Sequence, residues 1–332
     1  VGGDVVNLGT NSRAGDGPHI VVEADEFDAA FLSYEPETAV VTNIEPDHLD
    51  FYGAFEELRA AFAQFLKNVP PQGRIIACAD DPVTAEMLGR GKSAALPLQT
   101  SQVEFYGLET PVDWVVSHLG KLPGGEHEFL VGHEGRPYGE FHIRIPGRHN
   151  VTNALAAIAV GHYAGVPLPV MQKAVREFRG AGRRFQSVGE AAGVTVMDDY
   201  AHHPTEVRAT IAAARERFPG RRLLAVFQPH TYSRTLYLLN DFHTCFRGLN
   251  RLFILETYAA REAIAEGIDA AELARQVIKP KARYVATFEQ AADEAAKALR
   301  EGDVFFTIGA GDVDRVGPLV LQRLRQKERT RP

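Results

Sequence analysis

The stretch DDYAHHPTEV (198–207) sets two aspartates, a tyrosine, two histidines and a glutamate close together, after an apolar run and before a helix-like one. Such residues could hold a metal, exchange protons as acid and base, or simply open a helix. The stretch alone leaves all three readings open. Further polar clusters follow the same plan. EADEFD (23–28) and TNIEPDHLD (42–50) each follow a β-branched run, and Glu23 and His48 sit where oxygen and imidazole donors could meet a hard cation. GRHNVTNALAAIAV (147–160) opens a helix with Asn150 and Asn153 three apart on one face. Their amides could pair with a purine edge, or cap the helix. GAGRRF (180–185) presents two arginines suited to phosphate oxygens. In FQPHTYSRT (227–235), His230 and Arg234 lie four apart, with Ser233 as a possible helix cap. TIGAGDV (307–313) is a glycine turn, which by itself says little about phosphate.

These clusters need elements to position them. HIVVEAD (19–25), TAVVTNI (38–44) and GRIIACADD (73–81) read as buried strands, and AFEELRAAFAQFL (54–66) as a helix. DWVVSHLG, HEFLVGHEGRP and GEFHIRI alternate and carry turn glycines, so they predict antiparallel hairpins between about 95 and 146. Helices are expected at 150–164 and 168–179. From 180 onward, FQSVGE and GVTVMDDY predict a hairpin. Then RLLAVFQ (222–228), RLFILET (251–257), ARYVATF (282–288) and DVFFTIGA (303–310) alternate with helices near 204–217, 233–247, 269–278, 288–300 and 312–327. The expected fold class is α/β. A mostly parallel sheet with antiparallel hairpins (1–179) precedes a doubly wound, Rossmann-like domain (180–332). In such sheets ligands bind beyond the carboxyl ends of the strands, where the clusters above lie.

Composition narrows the function. The 332 residues carry a formal net charge of −7, which leaves no basic footprint for nucleic acid. No apolar run approaches the ~20 residues of a membrane span. The two cysteines, Cys78 and Cys245, cannot build a disulfide framework or a cysteine-rich zinc site, so a cytoplasmic setting is expected.

Taken in order, EADEFDAAF, VTNIEPDHLDFYG, PGRHNVTNALAA, GAGRRF, DDYAHHPTEV and FQPHTYSRT resemble the motifs of the Mur ligases over essentially the whole chain. These are the ATP-dependent amino-acid ligases of peptidoglycan precursor synthesis, and hence of cell-wall biogenesis, cell shape and division. The branch that adds L-alanine to UDP-N-acetylmuramate is most similar. The resemblance implies a central ATPase domain and a C-terminal domain that closes on ATP, with a uridine-nucleotide domain and a Gly-Lys-Thr phosphate loop before residue 1. No such loop occurs here: Gly91-Lys92-Ser93 lacks the upstream glycine, and Gly120-Lys121 lacks the Ser/Thr. The 332 residues alone are therefore expected not to ligate.

The resemblance also implies roles. Glu23 and His48 would bind Mg2+. His149, Asn150 and Asn153 would face adenine, and Asp199 the ribose. Arg184 would reach the terminal phosphate of ATP. Tyr200, His202, His230 and Arg234 would receive L-alanine, with His202 as a hydrogen-bond partner or base for its amine. An unperturbed histidine, titrating near pH ~6.5, suits that task. Some relatives have an arginine where this chain has Thr231. The carbamylated lysine of sister ligases has no counterpart in RAAFAQF, as in the alanine-adding branch. Rival readings are the related peptide-recycling ligase and a metal-dependent hydrolase using His48, Asp198, Asp199, His202 and His203.

Overall fold

A computed structural model describes residues 3–90, 96–100, 102–109, 111–260, 262 and 267–330; Gly91-Lys92-Ser93 lies outside them. The chain divides into two compact units, Val1–Arg179 and Gly180–Pro332.

In the first unit, β1 (Thr38–Val41), β2 (Arg74–Cys78), β3 (Val103–Gly107), β4 (Trp114–Lys121), β5 (His127–His133) and β6 (Arg136–Ile143) form one sheet in chain order. β1 to β4 run parallel, and β4, β5 and β6 continue it as antiparallel hairpins. Helices α1 (Leu49–Tyr52), α2 (Phe55–Lys67), α3 (Pro82–Met87), α4 (Arg148–Tyr163) and α5 (Leu168–Glu177) complete the unit. Alternate residues of a strand face opposite sides. Ile75 and Ala77 therefore join Phe31, Ile44, Phe65 and Leu66 in one core, while Ile76 and Cys78 join Trp114, Phe129 and Leu155 in another.

The second unit has strands β7 (Gln186–Ala191), β8 (Val194–Asp199), β9 (Leu223–Phe227), β10 (Arg251–Leu255), β11 (Ala282–Val285) and β12 (Val304–Ile308), ordered 11-10-9-12-8-7. Only the β7–β8 pair is antiparallel. Its helices are α6 (Pro204–Arg217), α7 (Tyr232–Tyr237), α8 (Leu239–Phe242), α9 (Ala270–Gln276), α10 (Phe288–Ala298) and α11 (Val316–Thr330). β9 and β12 are buried along their whole length, as expected of parallel strands covered on both faces. Their alternating residues again feed two cores.

Three expectations need correction. Residues 19–25 form no strand, and their apolar side chains are open to solvent, with Ile20 91% and Val21 88% exposed. A β-branched run becomes a strand only with a ladder partner, and this one has none among the described residues. Glu23 is therefore not at a strand end. The helix expected over 233–247 is broken at Leu238 (φ −105°, ψ 17°) into α7 and α8 plus a turn. Leu238, Phe242, Cys245 and Phe246 keep helical spacing and all enter one core, so packing survives where the hydrogen-bond ladder does not. Finally, β3 was not expected; VEFYG is short, and only Tyr106 and Gly107 are buried.

Candidate active site

The second unit gathers its polar side chains at the carboxyl ends of β8 and β9. β8 ends in Asp198 and Asp199, both buried. Pro204 then starts α6, where its missing N–H is no loss. His203 caps this helix: its Nδ1 accepts from the Thr205 N–H at 3.3 Å. Glu206 reaches back and accepts the N–H groups of His202 (2.9 Å) and His203 (3.1 Å), closing a capping box.

Asp199 is anchored to the backbone. Its two oxygens accept from Ala201 N–H at 2.9 Å and Phe185 N–H at 3.0 Å. Burial raises its pKa, outweighing these bonds and the nearby Arg184 charge, to about 6. Burial also pushes Glu206 up, but the charges of His202 and Arg184 and the two N–H donors prevail and hold it at about 2. Arg184 is exposed and pairs with Glu206 at 3.1 Å, with its guanidinium 5.3 Å from the Tyr200 ring centre.

Tyr200, His202, His230 and Arg234 come together. The ring centres of Tyr200 and His202 are 5.6 Å apart, and those of His202 and His230 are 5.8 Å apart. His230 stacks on Tyr258 at 5.6 Å. Arg234 Nη1 lies 2.7 Å from His230 Nδ1. A guanidinium only donates, so Nδ1 accepts and His230 carries its proton on Nε2. His202 Nδ1 faces the Tyr200 carbonyl at 3.1 Å, which assigns it the proton and makes Nε2 the basic nitrogen. This half-buried patch can bind a carboxylate at Arg234 and accept a proton at His202.

Thr231 holds a left-handed backbone, φ +64°, uncommon for a β-branched residue. Its N–H donates to the Tyr258 carbonyl at 3.0 Å. The cap of α7 is Thr231 rather than Ser233. Glu262, which the sequence did not single out, accepts from the N–H groups of Tyr232 (2.6 Å) and Ser233 (3.0 Å) and from the Ser233 hydroxyl. Nothing in the local sequence pairs it with α7.

The first unit presents a second set. Gly147 (φ +101°), not an asparagine, occupies the N-cap of α4. The Asn150 side chain donates to the Pro146 carbonyl at 2.7 Å, while His149 and Asn153 are exposed on the first turns of the same helix. His48 caps α1 with a left-handed backbone, φ +52°. Its Nε2 lies 3.9 Å from Glu26 Oε1 and 3.9 Å from Asp47 Oδ2, and its ring centre 5.1 Å from that of Phe27. The carboxylates paired with His48 are thus Glu26 and Asp47, while Glu23 lies exposed in the strandless segment. Among the described residues, no group of three or more His, Cys, Asp or Glu could hold a metal by itself. Oxygen donors around one imidazole fit a cation that brings phosphates with it, because magnesium commonly takes only one or two side chains.

Asp198 accepts from Arg183 and Thr307. With Asp199 on backbone amides and His203 on its helix, three of the five residues of the hydrolase reading serve structural bonds.

Comparison with known proteins agrees over both units. Residues 11–161 match the Mur ligase middle domain, and residues 183–311 match the Mur ligase, glutamate ligase domain. The chain is 41% identical over 330 residues to the UDP-N-acetylmuramate–L-alanine ligase of Geobacter sulfurreducens, covering 98% of this chain and 70% of that protein. It is 43% identical over 332 residues to the enzyme of that name from Mycolicibacterium gilvum, covering 98% and 68%. The crystal structure of UDP-N-acetylmuramate-alanine ligase from Thermotoga maritima superposes with a TM-score of 0.76 at 25% identity, over 98% of this chain and 68% of that one.

Proposed function

This chain belongs to the Mur ligase family, and on that premise we propose that it joins L-alanine to UDP-N-acetylmuramate with ATP, in peptidoglycan precursor synthesis. The observation that carries the reading is the convergence of Tyr200, His202, His230 and Arg234 on one patch at the ends of β8 and β9. Arg234 binds the alanine carboxylate through a charge-assisted bond. Tyr200 and His230 wall the pocket.

The chemistry runs in two steps. A carboxylate oxygen of UDP-N-acetylmuramate attacks the terminal phosphorus of ATP, and ADP leaves. The alanine amine then attacks the acyl carbon, the C–O bond breaks, and phosphate departs with the carboxylate oxygen. The first step is mostly positioning and charge neutralisation, to which Arg184 contributes. The second needs a neutral amine, and His202 Nε2 accepts its proton. Each Asp199 oxygen accepts one backbone N–H and keeps a further lone pair, through which Asp199 would accept from the ribose, while His149, Asn150 and Asn153 hold the adenine. His48, with Glu26 and Asp47 3.9 Å from its Nε2, would hold magnesium, to which the exposed Glu23 would add a carboxylate, and the ion would supply charge to the transferring phosphoryl group when bound. The units 1–179 and 180–332 act as the central ATPase-type domain and the C-terminal ligase domain. The protein works in the cytoplasm. Cys78 and Cys245 are buried free thiols, as a reducing compartment maintains them. Among the described residues no helix is long and apolar enough to cross a membrane.

The recycling ligase, which would accept an intact peptide, is the lesser reading, because Arg234 on His230 makes a compact carboxylate site suited to one small amino acid. The test uses UDP-N-acetylmuramate labelled with 18O in its carboxylate and the full-length protein that carries these residues. One 18O should appear in the released phosphate. Unlabelled phosphate, with product formed, would rule out the acyl phosphate.

A further inference from the structure

We propose that Arg183 is a positioning residue, a latch that fixes Arg184 relative to the alanine pocket by tying the 181–185 turn to the glycine turn 309–311. Two adjacent arginines in GAGRRF invite one role, and their guanidiniums lie 5.1 and 5.3 Å from the Tyr200 ring centre, but they take different polar partners. Arg183 (φ +57°) and Phe185 (φ +52°) are both left-handed, a conformation that L side chains rarely adopt. Such a turn persists only where its surroundings over-determine it. Here Arg183 N–H donates to Gln186 Oε1 at 2.7 Å, Arg184 N–H to the Ala181 carbonyl at 3.1 Å and Phe185 N–H to Asp199 Oδ2 at 3.0 Å. The Arg183 carbonyl in turn accepts the Tyr200 N–H at 2.6 Å.

The Arg183 side chain leads away from solvent and is only 26% exposed. Each of its three nitrogens has a partner. Nε donates to Asp198 Oδ2 at 2.9 Å, Nη1 to the Gly311 carbonyl at 2.8 Å and Nη2 to the Gly309 carbonyl at 2.8 Å. Asp198 is itself fixed on its other oxygen by the Thr307 hydroxyl. A planar guanidinium fork can satisfy two carbonyls two residues apart only if the turn holds one shape. That turn has no room for a side chain at either glycine. A Cβ on Gly309 would come within 2.8 Å of the Gln228 carbonyl oxygen, and one on Gly311 within 2.5 Å of Gln228 Oε1 and 2.7 Å of the Tyr258 ring. Gln228 leads through Pro229 to His230, and Tyr258 stacks on His230. One guanidinium thus connects the turn that presents Arg184 to the backing of the His230–Arg234 pocket. Arg183 touches no reactant; it sets the distance between the arginine that meets phosphate and the site that holds the amine.

The inference rests on the roles proposed above for Arg184 and the pocket. The test makes Arg183→Met and Arg183→Lys in the full-length protein and measures phosphate release, alanine KM and folding by near-UV circular dichroism. Misplacing a group by about 1 Å can lower a rate about a hundredfold, so Arg183→Met should lose at least about tenfold in kcat with alanine KM within about twofold. Arg183→Lys keeps the charge beside Asp198 but lacks the fork, so it should fold and retain an intermediate kcat. A folded variant with unchanged kcat, or a loss carried wholly by alanine KM, would overturn the latch. If Arg183→Met fails to fold, the lysine variant decides alone by the same criteria. If the unmodified protein releases no phosphate with its three substrates, the proposed function falls separately. The latch is then read by hydrogen exchange of the Phe185 and Tyr200 amides, which should quicken in Arg183→Lys and would refute it if unchanged.

Discussion

Asp199 keeps a carboxyl group where water barely reaches it, 5% exposed. Burial raises its pKa from 3.8 to about 6, despite two backbone N–H bonds and the charge of Arg184. The folded state therefore holds this proton more tightly than the unfolded chain. Its stabilising effect is complete below about pH 4 and is lost as pH rises through about 6. Two pKa units correspond to about 3 kcal/mol. Urea unfolding between pH 4 and 7 should show this decline, and Asp199→Asn should flatten it; an equal slope in the variant would mean that another group titrates. Arg234 gives a kinetic counterpart. Losing a charge-assisted bond to a buried carboxylate removes roughly 1.5–3 kcal/mol, so Arg234→Ala should weaken alanine use about ten- to a hundredfold with ATP KM little changed. Unaltered alanine kinetics would remove Arg234 from the pocket. The residue types of this site were legible in the sequence, since His230 and Arg234 are four apart and their strand-end placement follows from the fold. Glu262 and Arg183 were not: the partners of Glu262 lie 29 or more residues away and the carbonyls that Arg183 grips lie 126 and 128 residues away, through bonds that no local pattern encodes.

Among the elements, α6 shows how a polar stretch becomes a helix start. Pro204, the His203 cap and Glu206 together satisfy the first N–H groups and leave Tyr200 and His202 on the site side. Glu206→Ala removes two backbone bonds, and its pairing with Arg184 is partly solvent-screened, so the loss should be about 1–2 kcal/mol. Urea unfolding of the variant measures it, and a change near zero would show that the capping box contributes nothing. Most elements were readable because short continuous apolar runs, as in β9 and β12, and period-3.6 spacing, as in α6, coincide with burial. HIVVEAD failed because apolar β-branched residues reveal a propensity for strand, not the presence of a neighbour to pair with. The break at Leu238 was hidden because its apolar spacing is still helical.

At the scale of the whole molecule, both cores of the second unit draw only on residues from Phe185 onward. Residues 180–332 made alone should therefore unfold in one cooperative transition with intact near-UV dichroism; a broad, non-cooperative melt would show that they need the rest of the chain. Function is another matter. Phosphoryl transfer depends on positioning and charge around the transferring group. The direct test of ligation is phosphate release from ATP by the full-length protein, with each substrate omitted in turn. Release should require UDP-N-acetylmuramate and L-alanine together and match alanine incorporated into the nucleotide sugar one for one. Release that ignores alanine, or the formation of an intact-peptide adduct in preference to the alanine one, would contradict the account.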